Sequence, residues 1–144
     1  MSMGRRWATL WWLPLVLASA CGCGSKNAAV VKSETSHVRL LAMLHTKASS
    51  KLRRAPRDEQ EFKQTLAAMS VAVEPLKVAS IDELFTSERD GEPLVVVYGR
   101  PPKGSDVVVY EQTGVNGKRL VGYKIGMVEE IDEPTFNDLG LTKR

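Results

Sequence analysis

Two histidines, His37 and His45, are the first candidates for acid–base or metal chemistry, because imidazole titrates near neutral pH and binds transition metals. They lie eight residues apart in a stretch with helical periodicity, which places them about 80° apart around the axis and about 12 Å along it. Metal-binding pairs on a helix use a spacing of four residues, so this spacing argues against a shared metal ion. Both lie near the apolar side of the helix, and we expect partly buried packing residues. A small hydrolase that uses one of them is the alternative.

Acidic residues occur in several pairs along the chain. Glu129 and Glu130 are neighbours on a predicted strand, so their side chains should face opposite sides of a sheet. Asp90, Glu92 and Asp106 offer the oxygen ligands that calcium prefers, but their spacing matches no EF-hand loop. Turn formation and helix capping explain these acids, and the sequence predicts no metal site and no cofactor.

The sequence lacks the usual patterns for nucleophilic or phosphate chemistry. There is no Gly-x-Ser-x-Gly, no P-loop, no Gly-x-Gly-x-x-Gly and no His-Glu-x-x-His. Ser105 follows a glycine, but both histidines precede it in the chain. Three predicted strands each carry one tyrosine (Tyr98, Tyr110 and Tyr123), which cross-strand packing explains better than a stacking platform. We therefore predict no catalytic residues and a protein that is not an enzyme.

The elements that position these residues begin with two predicted helices. Ser36 or Thr35 caps a first helix that ends near Ser50, and its apolar residues recur at helical spacing. A second helix begins near Asp58, with Glu61 three residues on as in a capping box.

The second half of the chain is rich in β-branched residues and turn signals. A short helical turn carries Leu84 and Phe85, and Asn116-Gly117 favours a hairpin. Asp132 can cap a last helix that runs from Glu133 to Leu139. Four runs are typical of strands, at residues 94–98, 107–111, 119–124 and 127–131. The order of elements predicts an α+β fold, with N-terminal helices packed on a three- to four-stranded antiparallel meander.

The N-terminal residues have the pattern of an export signal. A pair of arginines precedes an apolar run of 13 residues from Ala8 to Ala20, which is shorter than the roughly 20 residues that cross a bilayer. Basic, apolar and then small residues in this order predict a signal peptide over residues 1–20. Cys21 and Cys23 are the only cysteines, so the exported domain is expected to rely on its core rather than on a disulfide.

The segment around the predicted cleavage site resembles the lipobox of bacterial lipoproteins, in which small residues precede a cysteine that receives a diacylglyceryl group. Ala18-Ser19-Ala20 stands before Cys21, although the family usually has leucine where Ala18 lies. The resemblance implies lipidation at Cys21, a lipid-attached tether over residues 21–33 and a single globular domain over residues 34–144. Plain secretion after cleavage, or an uncleaved or intracellular chain, are the alternatives.

The same resemblance implies a location and partners. Gly22 stands where an aspartate would retain a lipoprotein at the inner membrane, so we expect an anchor in the outer membrane on the periplasmic side. Membrane lipid is the expected partner, through the acylated N-terminus, with an envelope protein as a further partner.

Removal of residues 1–20 leaves 18 basic and 17 acidic side chains, a balance that argues against nucleic acid as a partner. Basic residues concentrate over residues 47–57, which suits a solvated helix end or a contact with anionic headgroups.

The order of elements over residues 36–131 resembles the globular part of bacterial major pseudopilins. A long helix, a second helix and an Asp-Gly-x-Pro turn at residues 90–93 lead into the meander. The resemblance implies a pilin-like fold, with the long helix across an antiparallel sheet. Pseudopilins build filaments through an uncleaved apolar helix, which the lipobox-like signal replaces here, so filament assembly is not implied. The whole chain is also similar to small uncharacterised lipoproteins with a closing Val-Glu-Glu-Ile-Asp strand and helix.

Together these patterns predict a membrane-tethered envelope lipoprotein with a non-catalytic binding or structural role. The alternative is a pseudopilin-like component of a secretion or pilus apparatus.

Overall fold

The computed structural model describes residues 29–30, 36–72, 74–102 and 104–141. The predicted signal peptide and the predicted lipidation site at Cys21 lie outside the described residues. None of the helices in the described part has the length and apolar content that crossing a bilayer requires.

Three α-helices and two short 3₁₀ turns form the helical part of the fold. The helices are α1 (His37–Leu52), α2 (Glu59–Ala68) and α3 (Glu133–Asp138), and the 3₁₀ turns are Glu74–Leu76 and Asp82–Phe85. Side chains of Ser36, Asp58 and Asp132 each accept a hydrogen bond from the backbone N–H three residues on, at 2.8–3.3 Å. The predicted caps of all three helices are confirmed.

The strands form one antiparallel sheet in the order β1-β5-β4-β3-β2. They are β1 (Ala29–Val30), β2 (Leu94–Val96), β3 (Val107–Glu111), β4 (Lys118–Tyr123) and β5 (Val128–Asp132). The predicted α+β fold, with helices preceding a four-stranded meander, is confirmed. The pair Ala29–Val30, inside the segment expected to be a tether, adds to the outer edge of β5 opposite Glu129 and Glu130.

The turn between β3 and β4 has the backbone that the sequence predicts. Asn116 and Gly117 both have positive φ, at 54° and 71°, as a tight hairpin requires. Gly114 also has positive φ, and a Cβ atom there would lie 2.2 Å from the carbonyl oxygen of Lys118. Only glycine fits at position 114 without displacing the hairpin.

The sheet buries one cluster of apolar side chains on each face. On the first face α1 packs closely on β4. The contact is so close that a Cβ atom on Gly122 would lie 3.0 Å from the Val38 side chain. The 3₁₀ turn Asp82–Phe85 and α2 complete this cluster, with Phe62 and Leu84 fully buried. On the second face Phe136 of α3 packs on the sheet.

The three tyrosines do not share one surface. Tyr98 lies beyond the end of β2 and packs on Phe62 in the helix layer, with ring centroids 6.4 Å apart. Tyr110 packs on Phe136 on the other face of the sheet, at 5.2 Å. The expected cross-strand packing is therefore wrong for Tyr98, because β2 ends two residues earlier than the sequence predicts.

A basic cleft as the candidate functional site

The C-terminal end of α1, the loop at residues 99–101 and the turn between β4 and β5 enclose an open cleft of about 480 Å³. This volume falls in the range of small-molecule sites in proteins, which is roughly 300–1,000 Å³. We call it the basic cleft, because the described residues of its walls include no carboxylate but four cationic side chains: Arg53, Arg54, Arg100 and Lys124. His45 and the hydroxyls of Thr46, Ser49 and Ser50 line it as well.

The backbone at the end of α1 positions the first two arginines. Arg53 adopts the left-handed conformation with φ of 56°, and its N–H approaches the carbonyl of Ser50 at 3.4 Å. The N–H of Arg54 donates to the carbonyl of Ser49 at 3.1 Å. These two bonds satisfy helix carbonyls that would otherwise face solvent, as in other left-handed helix ends.

One of the four cations is held by a carboxylate of α2. Arg54 donates through both terminal nitrogens to Glu61, at 2.8 and 2.5 Å, and the backbone N–H of Arg57 donates to the same carboxylate at 2.7 Å. The bond from the Arg54 guanidinium, followed by the one from Arg57, lowers the pKa of Glu61 to about 2. Glu61 therefore stays ionised, and Arg54 is largely neutralised at neutral pH.

A second cation is held by the loop before β3. The ammonium of Lys124 lies 3.0 Å from the carboxylate of Asp106, and the carbonyl of Lys124 accepts the hydroxyl of Thr46. Arg53 and Arg100 make no ion pair with any acid in the described part of the chain. The basic cleft thus carries two cations whose charge is not balanced by a neighbouring carboxylate.

His45 forms the floor of the basic cleft and is only 2% exposed. Its ring packs edge-on against Phe62, with centroids 5.7 Å apart, and Nδ1 lies 3.5 Å from the Ser49 hydroxyl oxygen. Its Nε2 is buried with no partner at hydrogen-bond distance among the described residues. Burial lowers the pKa of His45, the carbonyl of Val97 opposes that shift, and the charge of Lys124 adds to it. The imidazole is therefore neutral at pH 7.

His37 lies at the other end of α1 and has different partners. Its Nδ1 donates to the carbonyl of Thr86 at 2.7 Å, and Nε2 lies 3.5 Å from the carboxylate of Glu88. Both histidines are buried, as expected, and they have different neighbours along α1. Within the described ranges, no group of three or more His, Cys, Asp or Glu side chains is placed to hold a metal ion.

Two of the acids considered as calcium ligands, Asp90 and Asp106, lie apart and have structural partners. Asp90 accepts the N–H groups of Glu92 and Gly114, at 3.0 and 2.9 Å, and so joins its own turn to the β3–β4 hairpin. Burial alone would raise the pKa of Asp90, but these hydrogen bonds, with one to a neighbouring serine, lower it instead. Asp106 pairs with Lys124 at the basic cleft. The two carboxylates therefore serve different parts of the fold.

The acids of β5 face opposite sides of the sheet, as expected. Glu129 accepts the hydroxyl of Tyr123 at 2.9 Å, whereas Glu130 pairs with Arg89 at 2.9 Å. They do not form a paired-carboxylate site.

A buried carboxylate lies at the end of β3, where no sequence pattern predicts one. Glu111 is 0% exposed, and its two oxygens accept the hydroxyl of Ser87 and the N–H of Leu120, both at 2.8 Å. The Arg89 guanidinium lies 3.6 Å away. A single acid in a strand-like run resembles a solvent-facing residue, so no local pattern reveals this burial.

Arg119 is the second buried charge that sequence patterns missed. It is 2% exposed, donates to both oxygens of Glu133 at 2.9 and 3.2 Å, and stacks on the ring of Phe136 at 4.3 Å. Its remaining nitrogen donates to the backbone carbonyls of Glu111 and Gln112. Glu111 lies beside the first turn of α1, at the opposite end of that helix from the basic cleft. We therefore assign these two charges to the scaffold.

No family model, curated protein or solved structure matches the chain. The function is accordingly inferred from the N-terminal sequence and from the chemistry of the basic cleft.

Proposed function

We propose that the protein is a membrane-tethered envelope lipoprotein whose folded domain has a binding role rather than a catalytic one. The observation that carries the proposal is the cysteine at position 21, which follows an apolar run and three small residues, Ala18-Ser19-Ala20. Acyl chains contribute about 0.8 kcal/mol per buried methylene, so a diacylated cysteine holds a domain durably at a bilayer.

The pairing of β1 with β5 would set how far the domain can lie from its anchor. Ala29 follows Cys21 by eight positions, and eight Cα–Cα steps span at most about 29 Å. In this proposal the domain stays close to the membrane surface, in the periplasm if the anchor is in the outer membrane.

The binding role is supported by the basic cleft. It is a concave surface with two cationic side chains, Arg53 and Arg100, that no described carboxylate neutralises. The hydroxyl oxygen of Ser49 lies 3.5 Å from Nδ1 of His45. Among the described residues, no carboxylate contacts the His45 ring. A hydrolase that uses His45 would lack the third group that orients the imidazole in a catalytic triad.

Metabolic labelling with a palmitate analogue tests the anchor, because the chain offers a matched control two residues away. The wild type and Cys23→Ala should incorporate the label and fractionate with membranes. Cys21→Ala should do neither. An unlabelled wild type, or label retained in Cys21→Ala, contradicts the proposal.

A pseudopilin-like role in a secretion or pilus apparatus is the second candidate. It is favoured by the position of α1 across the antiparallel meander, together with the turn at residues 90–93. Cross-linking in cells followed by purification tests it: filament components should co-purify with the protein. A strictly monomeric protein, spread evenly over the envelope, would contradict this candidate.

A further inference from the structure

We propose that the basic cleft is a binding site for a phosphate-bearing anion. The inference deepens the proposed binding role and rests on it, but it does not depend on lipidation of Cys21. The basic cleft combines two cations that pair with no described acid, paired carbonyls at the end of α1, a hydroxyl with only a long contact, and a nearby apolar rim.

The leftover charge consists of two guanidinium groups. Arg54 forms an ion pair with Glu61, and Lys124 forms one with Asp106. Arg53 and Arg100 have no ionic partner among the described residues. A guanidinium presents planar paired N–H donors that match the oxygens of a phosphate, and two of them on one cleft can hold a single anion from two sides.

The helix end does not account for these cations. Basic residues often compensate the partial negative charge of free carbonyls at a helix C-terminus. Here the carbonyls of Ser49 and Ser50 already accept backbone N–H groups from the residues at positions 54 and 53. The side chains of Arg53 and Arg100 are therefore not needed to satisfy these two carbonyls.

One neutral donor on the wall, the hydroxyl of Ser49, has only a long contact within the protein. The hydroxyl of Ser50 donates to the carbonyl of Thr46, and the hydroxyl of Thr46 lies between the carbonyls of Ala42 and Lys124. Ser49 instead lies 3.5 Å from Nδ1 of His45, at the limit of a hydrogen bond, so its hydroxyl can turn toward a bound oxygen. Because His45 is neutral and buried, the positive charge that faces an anion comes from the arginines.

An apolar rim borders the basic cleft on the side of Lys124. Ile125 is 83% exposed at the tip of the β4–β5 turn, and Met43 and Met127 are partly exposed beside it. A Cβ atom on Gly126 would lie 3.1 Å from the Met43 side chain, so the turn rests directly on α1. Met43 stands ten residues before Arg53, about 15 Å along α1, so a ligand that contacts both the cations and the rim needs an extended apolar part beside its phosphate. A phospholipid headgroup has this chemistry, and a free phosphate shares its charged half.

Calorimetric titration of the full chain in a non-ionic detergent tests the site with two probes. Inorganic phosphate represents the free anion, and dihexanoyl phosphatidylglycerol below its micelle concentration represents the headgroup. Arg53→Gln and Arg100→Gln should each weaken binding by about fivefold, the loss expected for one exposed charge about 4 Å from an anion in water. Arg39→Gln is the matched control, because it removes the same charge from the same helix about 21 Å from Arg53.

The two probes distinguish the source of the phosphate. Tighter binding of the lipid probe, weakened by Ile125→Ser, assigns the basic cleft to a headgroup, whereas equal or tighter binding of inorganic phosphate assigns it to a free anion. No binding of either probe overturns the inference, as does unchanged affinity in the double arginine variant or an equal loss in Arg39→Gln. The titration is repeated with Cys21→Ser, so that failure of the anchor and failure of the basic cleft give different results.

Discussion

Replacing Glu111 by glutamine tests whether the buried charge at the end of β3 holds the scaffold together. The substitution keeps the size and shape of the side chain but removes its charge. It also exchanges one of the two acceptor oxygens for an NH₂ group. In the wild type, the fully buried Glu111 carboxylate accepts hydrogen bonds from the Ser87 hydroxyl and the Leu120 N–H, both at 2.8 Å.

The expected magnitude follows from these two bonds. A hydrogen bond to a charged group contributes about 1.5–3 kcal/mol and a neutral one about 0.5–1.5 kcal/mol, so two bonds lose roughly 2–3 kcal/mol together. The glutamine avoids part of the desolvation cost of a buried carboxylate, which offsets some of this loss. We therefore expect the free energy of unfolding to fall by about 2 kcal/mol, and Tm to fall by about 8 °C in a domain of this size.

Urea unfolding followed by circular dichroism at 222 nm measures this change. Glu92→Gln is the control, because Glu92 is an exposed acid whose side chain has no described partner, and it should shift the free energy of unfolding by no more than about 0.5 kcal/mol. If the Glu111 and Glu92 variants have the same unfolding midpoint, the charged hydrogen bonds do not stabilise the fold and the reasoning is refuted.

Three further predictions concern the hairpin, the Glu61 carboxylate and the aromatic core. Gly114→Ala should lower the free energy of unfolding by about 3 kcal/mol in the same urea assay, because the new Cβ meets a backbone carbonyl. Gly117→Ala has open space around its Cβ and should lower it by only about 1 kcal/mol. Equal losses in the two variants would contradict the close contact at Gly114. Glu61 has a folded pKa of about 2, below its usual 4.5, so its pairing stabilises the fold above pH 4.5 and this contribution disappears as the pH falls toward 2. Glu61→Gln should therefore have a weaker dependence of stability on pH in that window, and an unchanged pH profile would contradict the pairing. Phe62→Ala should lower the free energy of unfolding by about 3–5 kcal/mol, because the ring is fully buried. Ile125→Ala at the exposed turn should change it by less than about 0.5 kcal/mol. Similar losses in the two variants would contradict the placement of Phe62 in the core.

The local elements of the fold were predictable from the sequence because short-range chemistry fixes them. Ser36, Asp58 and Asp132 cap helices through bonds to backbone only three residues away, and Asn116-Gly117 encodes its turn within the hairpin. Strand ends were predicted less well. β2 stops at Val96 although the β-branched run continues, so Tyr98 leaves the sheet for the helix layer.

The candidate site and the buried charges depend on contacts between distant parts of the chain. The sequence located the basic stretch at residues 47–57, but Arg100 and Lys124 join it only through the fold. In the same way, the sequence around Glu111 is typical of an exposed acid, whereas in the fold its carboxylate is bonded to Ser87, 24 residues earlier in the chain. Local composition contains no record of these pairings, which is why the basic cleft emerges only from the structure.

The central claim is that the mature chain begins with a lipid-bearing cysteine, and mass spectrometry of the N-terminal peptide tests it most directly. For protein recovered from the membrane fraction, the account predicts a first residue of Cys21 with the added mass of a diacylglyceryl group. An intact Met1 on protein recovered from the cytosol would contradict it, and so would an unmodified Cys21 at the start of a secreted chain.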